Sequence, residues 1–185
     1  MPSLKPSKGR LLIAEPSIIG DLSFNRSIIL LTEHNQFNSI GFIMNKPLGY
    51  KLSDLIPEIE CDFKIYQGGP VEQDNLYFIH KIPELLNNSI QVTKDIYWGG
   101  DFSELTQLLN KGMINNEDIR FFLGYSGWGK DQLNHEWEKE SWLVQENNYQ
   151  NIFNTQNRNL WKESMLEFGT KYQIWANAPS DPKLN

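Results

Sequence analysis

Two short apolar segments separated by a polar loop constrain the fold of this chain more than any other feature of its sequence. The segments are Arg26–Glu33 (RSIILLTE) and Ile40–Asn45 (IGFIMN), and the loop between them, His34–Ser39 (HNQFNS), consists largely of residues that favour turns. Apolar runs of this length on both sides of such a loop predict a β-hairpin. An earlier apolar segment, Arg10–Pro16, predicts a buried strand that ends at a proline.

The rest of the chain predicts a mixture of strands and helices. Strands are predicted at Phe63–Gln67, Leu76–Lys81, Ser89–Gly100, Ile119–Trp128 and Trp142–Glu146, a short helix or turn at Lys51–Glu58, and helices at Asp101–Gly112, about Lys130–Glu140 and Asn159–Gly169. Hairpin signals dominate, and the strand–helix–strand alternation typical of parallel sheets is weak. The sequence therefore predicts a single α+β domain with a mainly antiparallel or mixed β-sheet core, flanked by helices.

Composition excludes several classes of protein. The net charge is -6, so the chain lacks the basic footprint of most nucleic-acid-binding proteins, and we do not expect direct binding to nucleic acid. Cys61 is the single cysteine and cannot form an internal disulfide, which fits a reducing cytoplasm. No apolar run approaches the roughly 20 residues of a membrane helix. We expect a cytoplasmic protein without a membrane partner, with a flexible leader at 1–8, a domain at 9–176 and a flexible tail at 177–185.

The stretch Gly124–Trp142 looks most like a catalytic site. Ser126 lies between a predicted strand and a predicted helix, as the nucleophile of a G-x-S-x-G elbow does. However, Trp128 occupies the position of the second glycine, and Asp131 and His135 follow too closely to build a triad on separate loops. We therefore interpret the small residues around Ser126 as a tight strand-to-helix turn rather than a hydrolase site.

Histidine residues are too few and too scattered to predict a metal site. His135 and Glu136 begin the H-E-x-x-H pattern of zinc peptidases, but Lys139 stands where the second histidine ligand would be. The other two histidines, His34 and His80, belong to different predicted elements. No glycine-rich phosphate loop occurs in the chain. We therefore expect neither a metal nor a cofactor.

Two local patterns lead to specific structural predictions. Gly68 and Gly69 precede Pro70 in a tight connection, so at least one of the two glycines should have a positive φ or pack where a Cβ atom would clash. Trp137 shares a helix face with Leu133 and should belong to the core. Trp128, flanked by glycines, should instead be presented to a cleft.

Four blocks of the sequence, in order, resemble the AlgH/YqgE family of small bacterial proteins, over a span from about Gly9 to Gly169. The blocks are GRLLIAEPSIIGDLSFNRSIILLTEHN at 9–35, GFIMNKP at 41–47, QGGPV at 67–71 and FLGYSGWGKDQLNHE at 122–136. Ser126 stands where the family often has alanine, which argues against a serine nucleophile. The resemblance implies an α+β fold with a substantial β component. It implies no reaction, because none is agreed for the family.

These observations favour a non-catalytic regulatory module that binds an unknown small molecule or protein. Its cleft is predicted to be lined by Asn45, Gly68, Gly69, Pro70, His80, Tyr125, Trp128, Gln132 and Glu136. Mixed polar and aromatic side chains beside glycine turns are typical of places where backbone approaches a ligand closely. One alternative is a small enzyme that uses Glu136 and His80 as acid and base. Another is a transcriptional regulator, suggested by the name of one family member but disfavoured by the acidic composition and the lack of a helix-turn-helix.

Overall fold

A ten-stranded sheet, curled and covered by helices, forms most of the described part of the protein. The structure is a computed structural model and describes residues 4–16, 22–147, 152–153 and 159–178. The strands are β1 Leu11–Ala14, β2 Ile28–His34, β3 Ser39–Ile43, β4 Pro47–Lys51, β5 Lys64–Gln67, β6 Val71–His80, β7 Ile90–Thr93, β8 Ile96–Trp98, β9 Ile119–Trp128 and β10 Trp142–Gln145. The helices are α1 Leu52–Leu55, α2 Phe102–Asn110, α3 Gln132–Glu138, α4 Leu160–Glu167 and α5 Gln173–Asn177, with short 3-10 turns at Leu22–Phe24 and Thr170–Tyr172.

Strand β9 organises the sheet because it pairs along both of its edges. One edge pairs with β6, antiparallel, with Tyr77 opposite Phe122. The other edge pairs with β5, parallel, along the first half of β9 and with β3, antiparallel, along its second half. The full order is β10-β1-β2-β3-β9-β6-β8-β7, with β4 beside β5. The predicted α+β class with a mainly antiparallel sheet is confirmed, and the hairpin predicted at 26–45 is formed by β2 and β3.

Strands β1 and β2 are buried on both faces, which explains why their sequences are continuous apolar runs rather than alternating ones. In β2, Ile28 and Leu30 belong to the core beneath the C-terminal helices, whereas Ile29 and Leu31 belong to a cluster on the opposite face. That opposite face carries two clusters, one beneath α2 and one beneath α3. Helix α4 is tied to the sheet by Trp161, whose indole nitrogen donates to the carbonyl of Ala14 at 2.9 Å.

Helix α2 begins at Phe102, inside the helix predicted at Asp101–Gly112, because Asp101 caps it. The side chain of Asp101 accepts hydrogen bonds from the backbone nitrogens of Ser103 and Glu104, at 2.9 and 3.0 Å. This satisfies two of the N–H groups that a helix start leaves without partners. The segment Ser89–Gly100, predicted as one strand, is a hairpin in which β7 and β8 pair with each other. Strand β6 begins five residues earlier than predicted, at Val71.

The ends of the predicted domain remain predictions, since residues 1–3 and 179–185 lie outside the described residues. Within the leader, Pro6 is buried, and the carbonyl of Lys5 accepts a 3.0 Å hydrogen bond from Arg10. Across the described ranges, every helix falls short of the length and apolar character needed to cross a membrane.

Candidate functional site

The Gly68-Gly69 turn packs directly against the backbone of β9. A Cβ atom at Gly68 would overlap the carbonyl oxygen of Gly124, and one at Gly69 would overlap the carbonyl group of Tyr125. The nitrogen of Gly68 also donates to the carbonyl of Leu123 at 2.8 Å. The prediction that a Cβ would clash at this turn is therefore confirmed for both glycines. The turn sets Pro70 and the start of β6 beside Tyr125.

The hydroxyl of Ser126 holds the same turn from inside the protein. Ser126 is fully buried and its Oγ donates to the carbonyl of Gly68 at 3.0 Å. That carbonyl accepts a second hydrogen bond, of 2.9 Å, from the nitrogen of Ile43. A serine that is enclosed and bonded to backbone cannot attack a substrate from solvent, which agrees with its interpretation as part of a structural turn.

Tyr125 lies against Tyr77, and Phe42 links Tyr77 to a third aromatic residue, Trp98; sequence reasoning missed both Tyr77 and Trp98. The rings of Tyr77 and Tyr125 meet edge to face, with centroids 5.7 Å apart and planes at 82°. Phe42, in the core below, contacts Tyr77 at 5.6 Å and Trp98 at 6.1 Å between centroids. Tyr77, Trp98 and Tyr125 are each half-buried. We call these three residues the aromatic surface; it lies on the side of the sheet that faces the C-terminal helices.

The aromatic surface presents hydrogen-bonding groups that the described protein does not use. Among the described residues, the indole N–H of Trp98 and the hydroxyl of Tyr125 form no hydrogen bond, and neither atom is buried. By contrast, the indole nitrogens of Trp128, Trp142 and Trp161 all donate to protein acceptors. Buried tryptophan usually finds such a partner. Trp98 is therefore free to donate to a bound molecule.

Glu72 stands at the edge of the aromatic surface in an unusual backbone conformation. Its φ is 48°, in the left-handed region that non-glycine residues rarely adopt, and the pairing of β6 with β9 is irregular here. The carboxylate accepts hydrogen bonds from the hydroxyl of Tyr77 and from Asn75, the latter at 2.8 Å. Hydrogen bonds, above all the one from Tyr77, lower the pKa of Glu72. The pKa of Tyr77 is raised, first by burial and second by its hydrogen bond to Glu72. Strained residues of this kind cluster at functional sites.

Trp128, Gln132 and Glu136 come together, but in a structural cluster rather than in a cleft. Oε2 of Glu136 accepts hydrogen bonds from the indole nitrogens of Trp128 and Trp142, at 2.9 and 2.8 Å. Its Oε1 accepts one from Gln132 at 3.0 Å. Phe24 stacks on Trp128 with centroids 6.1 Å apart. The carboxylate therefore joins α3 to two strands.

The expectation that Trp128 is presented to a cleft is wrong, and so is the contrast with Trp137. Trp128 is 4% exposed and belongs to the core cluster beneath α3, whereas Trp137 is half-buried at the edge of that cluster. The glycines beside Trp128 permit a turn but do not direct its side chain outward. Trp142, from the next strand, and Phe24, from far earlier in the chain, enclose the indole.

His80 lies apart from the other predicted cleft residues. It pairs with Ile119 at the first residue of β9, whereas Trp128 is the last residue of that strand. At about 3.3 Å per residue the two positions are about 30 Å apart. The buried ring accepts a hydrogen bond from the nitrogen of Ile82 at 3.2 Å and donates through Nε2 to the carbonyl of Gly99 at 3.0 Å. Burial lowers its pKa. His80 and Glu136 therefore do not form the acid–base pair considered above.

Asn45 lies near the glycine turn, but its side chain is bonded to backbone. Its Oδ1 accepts from the nitrogen of Ile28 at 2.9 Å and its Nδ2 donates to the carbonyl of Arg26 at 2.8 Å. Both ends of the amide thus replace strand hydrogen bonds at the start of β2. Within the described ranges, no three His, Cys, Asp or Glu side chains come close enough together to hold a metal ion.

Known proteins with related sequences cover nearly the whole chain. The AlgH-like family matches residues 11–173. The UPF0301 protein of Cytophaga hutchinsonii is 39% identical over 181 residues, which is 97% of this chain and 99% of that protein. The UPF0301 protein of Chlorobium limicola is 38% identical over 178 residues, covering 96% of this chain and 95% of that protein.

Two solved structures share the fold at low sequence identity. A crystal structure of a protein from Corynebacterium diphtheriae superposes with a TM-score of 0.79 at 20% identity, covering 96% of this chain and 95% of the other. The solution structure of the AlgH protein from Pseudomonas aeruginosa gives a TM-score of 0.72 at 22% identity, covering 97% and 98%. Together with the family match and the sequence relatives, these similarities mean that the chain belongs to the AlgH-like family of bacterial proteins.

Proposed function

We propose that this protein is a non-catalytic binding module whose recognition site is the aromatic surface formed by Tyr77, Trp98 and Tyr125. The observation that carries the proposal is the pair of unused, accessible donors on that surface, the indole N–H of Trp98 and the hydroxyl of Tyr125. Binding sites typically combine apolar and aromatic walls with a few hydrogen-bonding groups that fix orientation. The proposed site therefore includes Gly68, Gly69, Pro70 and Tyr125 of the predicted cleft. It adds Tyr77 of β6 and Trp98 of β8.

The polar side chains most suited to catalysis are engaged in holding the fold, which supports a role without chemistry. Both ring nitrogens of His80 are bonded to backbone groups. The carboxylate of Glu136 accepts three hydrogen bonds from protein donors, and Ser126 is enclosed. An acid or base must reach the proton that it transfers. None of these three residues reaches the aromatic surface.

The chemistry of the aromatic surface favours a ligand with a flat apolar face and hydrogen-bond acceptors along its rim. The rings of Tyr125 and Trp98 supply apolar contact, and their free donors would meet acceptors of the ligand. Glu72, which is exposed, would accept a hydrogen bond from a donor of the ligand at the edge of the site. A heterocyclic metabolite fits this description, and so does a peptide segment with an aromatic side chain.

We also propose that the protein has a regulatory role in the cytoplasm. A protein that binds a ligand without transforming it acts through the complex that it forms, and regulation is the usual purpose of such a complex. Cys61 is a free thiol whose pKa is raised, chiefly by burial, which suits a compartment where thiols stay reduced. The net charge of -6 supports a partner other than nucleic acid.

Capture of small molecules from a bacterial metabolite extract, followed by native mass spectrometry, tests the proposal. Trp98→Phe and Tyr125→Phe each remove one donor and keep an aromatic ring, so each should weaken retention of the captured molecule about three- to tenfold. Tyr50→Phe is the matched control, because it removes a hydroxyl from an exposed tyrosine on β4. Equal retention by all three variants would place the binding site elsewhere, and conversion of the captured molecule would show catalysis.

A further inference from the structure

We propose a second binding site, for a small carboxylate or phosphate anion, formed by Arg120 and Lys81, whose cationic groups both lie close to the ring of Phe153. This inference goes beyond the proposed function, since it concerns residues outside the aromatic surface. It depends on a buried cation with unused hydrogen-bonding capacity, and on a second cation directed at the same ring.

Arg120 is buried in the core with part of its guanidinium group unsatisfied. The residue is 4% exposed, and Nη1 donates to the carbonyl of Met44 at 2.6 Å. The guanidinium lies over the ring of Tyr66, with Cζ 4.2 Å from the ring centroid. Its Nη2 is buried and has no hydrogen-bond acceptor among the described residues. Buried polar groups are nearly always paired, so an unpaired guanidinium nitrogen indicates a missing acceptor.

No carboxylate of the described protein neutralises Arg120. The ion pairs found between described residues are Arg10–Glu146 and Lys51–Asp62, both at the surface. The residues flanking Phe153 in the sequence, 148–151 and 154–158, contain no Asp or Glu. Burial lowers the pKa of Arg120, as expected for a cation that has lost water without gaining a counter-ion. Arginine nevertheless stays charged in proteins, so the positive charge still requires a partner.

Lys81 brings a second positive charge to the same place. Its Nζ lies 4.5 Å from the centroid of the Phe153 ring, and Cζ of Arg120 lies 6.0 Å from that centroid. Lys81 is half-buried, so part of the residue is in contact with solvent, and it forms no ion pair with any described residue. Two cations close to one ring repel each other, and an anion bound by both would relieve that repulsion. Guanidinium and ammonium groups are the usual ligands of carboxylate and phosphate oxygens.

Thermal unfolding of the whole protein in phosphate, in succinate and in chloride, at matched ionic strength, tests this site. Phosphate or succinate should raise the melting temperature in a saturable manner, because an anion that binds only the folded state stabilises it. Chloride should not. Whichever of phosphate and succinate saturates the shift in melting temperature at the lower concentration identifies the site as one for phosphate or for carboxylate.

Substitutions decide whether Arg120 and Lys81 are responsible. Lys81→Met keeps the aliphatic stem, removes the charge and should weaken the apparent affinity about tenfold or more, since a charge-assisted contact is lost. Arg120→Met should abolish the anion-dependent shift. Lys111→Met, which removes an exposed lysine at the end of α2, is the matched control and should leave the shift unchanged. If Arg120→Met does not fold, the comparison of Lys81→Met with Lys111→Met decides alone. An equal rise in chloride, or an equal loss in both lysine variants, would overturn the proposal.

Discussion

Glu136 accepts a hydrogen bond of 2.9 Å from the indole nitrogen of Trp128, across the turn that joins β9 to α3. The same carboxylate oxygen accepts a second bond from the indole of Trp142. One side chain of a short helix thus satisfies two tryptophans that are 4% and 2% exposed. This contact explains why the most catalytic-looking stretch of the sequence is a structural element.

Replacing Glu136 should therefore destabilise the protein. In Glu136→Ala both indole N–H groups lose their acceptor inside the core, and each unsatisfied group costs about 1–3 kcal/mol, so we expect a loss of about 2–6 kcal/mol in the free energy of unfolding. Glu138→Ala removes an exposed carboxylate from the same helix and should change stability by less than about 0.5 kcal/mol. Urea unfolding of both variants measures the difference. Similar small losses in the two would mean that the indoles do not need Glu136.

The two tryptophans around α3 should differ in the order opposite to that suggested by sequence. Trp128→Ala removes a buried ring packed against Phe24 and Trp142 and should cost about 3–5 kcal/mol. Trp137→Ala removes a half-buried ring and should cost about half as much or less. Denaturation midpoints of the two variants give the comparison. A larger loss for Trp137→Ala would contradict the packing described here.

The glycine turn offers a test with an internal control. Gly68→Ala places a Cβ against the backbone carbonyl of Gly124, where neither partner can rotate away, so we expect a loss of about 3 kcal/mol or more, or failure to fold. Gly49→Ala, in β4, meets no atom within 4 Å and should be neutral within about 1 kcal/mol. Thermal melts of the two variants, side by side, check this. Tolerance of both substitutions would show that the turn is not closely packed.

His80 should make the protein less stable in mildly acidic solution. Burial lowers its pKa in the folded state below the ordinary 6.5, so below that pH the unfolded chain takes up a proton that the folded chain does not. Stability should be complete above about pH 6.5 and fall as the pH drops toward the folded pKa, by at most about 1.4 kcal/mol per pH unit. Urea unfolding from pH 7.5 to 5.5 measures the slope.

The variant His80→Gln tests whether His80 causes this pH dependence. It should be less stable than the wild type at pH 7.5, because its amide replaces only part of the hydrogen bonding of the ring, and its slope should be shallower. His34, whose pKa burial also lowers, contributes equally to both proteins and so cancels in the comparison. Identical slopes would mean that the buried imidazole takes up its proton in the folded state.

Elements that depend on neighbouring residues were predictable from the sequence. The hairpin of β2 and β3 follows from two apolar runs and a polar loop, and the start of α2 follows from Asp101 as a helix cap. The tight packing at Gly68 and Gly69 follows from the pair of glycines before a proline. In each case the deciding interactions lie within a few residues or concern the backbone alone.

The candidate site depended on contacts between distant parts of the chain, and these were not predictable. Whether Trp128 is buried depends on Phe24 and Trp142, which enclose it. Alternation along β6 indicates that Tyr77 and His80 face opposite sides, but not that Trp98 of β8 lies on the side of Tyr77. Register between strands far apart in sequence sets these relationships. The sequence also does not show which indole N–H groups find an acceptor in the folded protein, so it could not single out the unused donor of Trp98.

Two-dimensional NMR of the indole N–H signals, during titration with fractions of a metabolite extract, tests the central claim most directly. Binding at the aromatic surface predicts that one fraction shifts the Trp98 indole signal in a saturable manner, because this donor is free to bond a ligand. The signals of Trp128 and Trp161 should stay in place, since both donors are engaged within the protein. A Trp98 signal that no fraction shifts, or a bound molecule that shifts Trp128 and Trp161 while Trp98 is unchanged, would contradict the account.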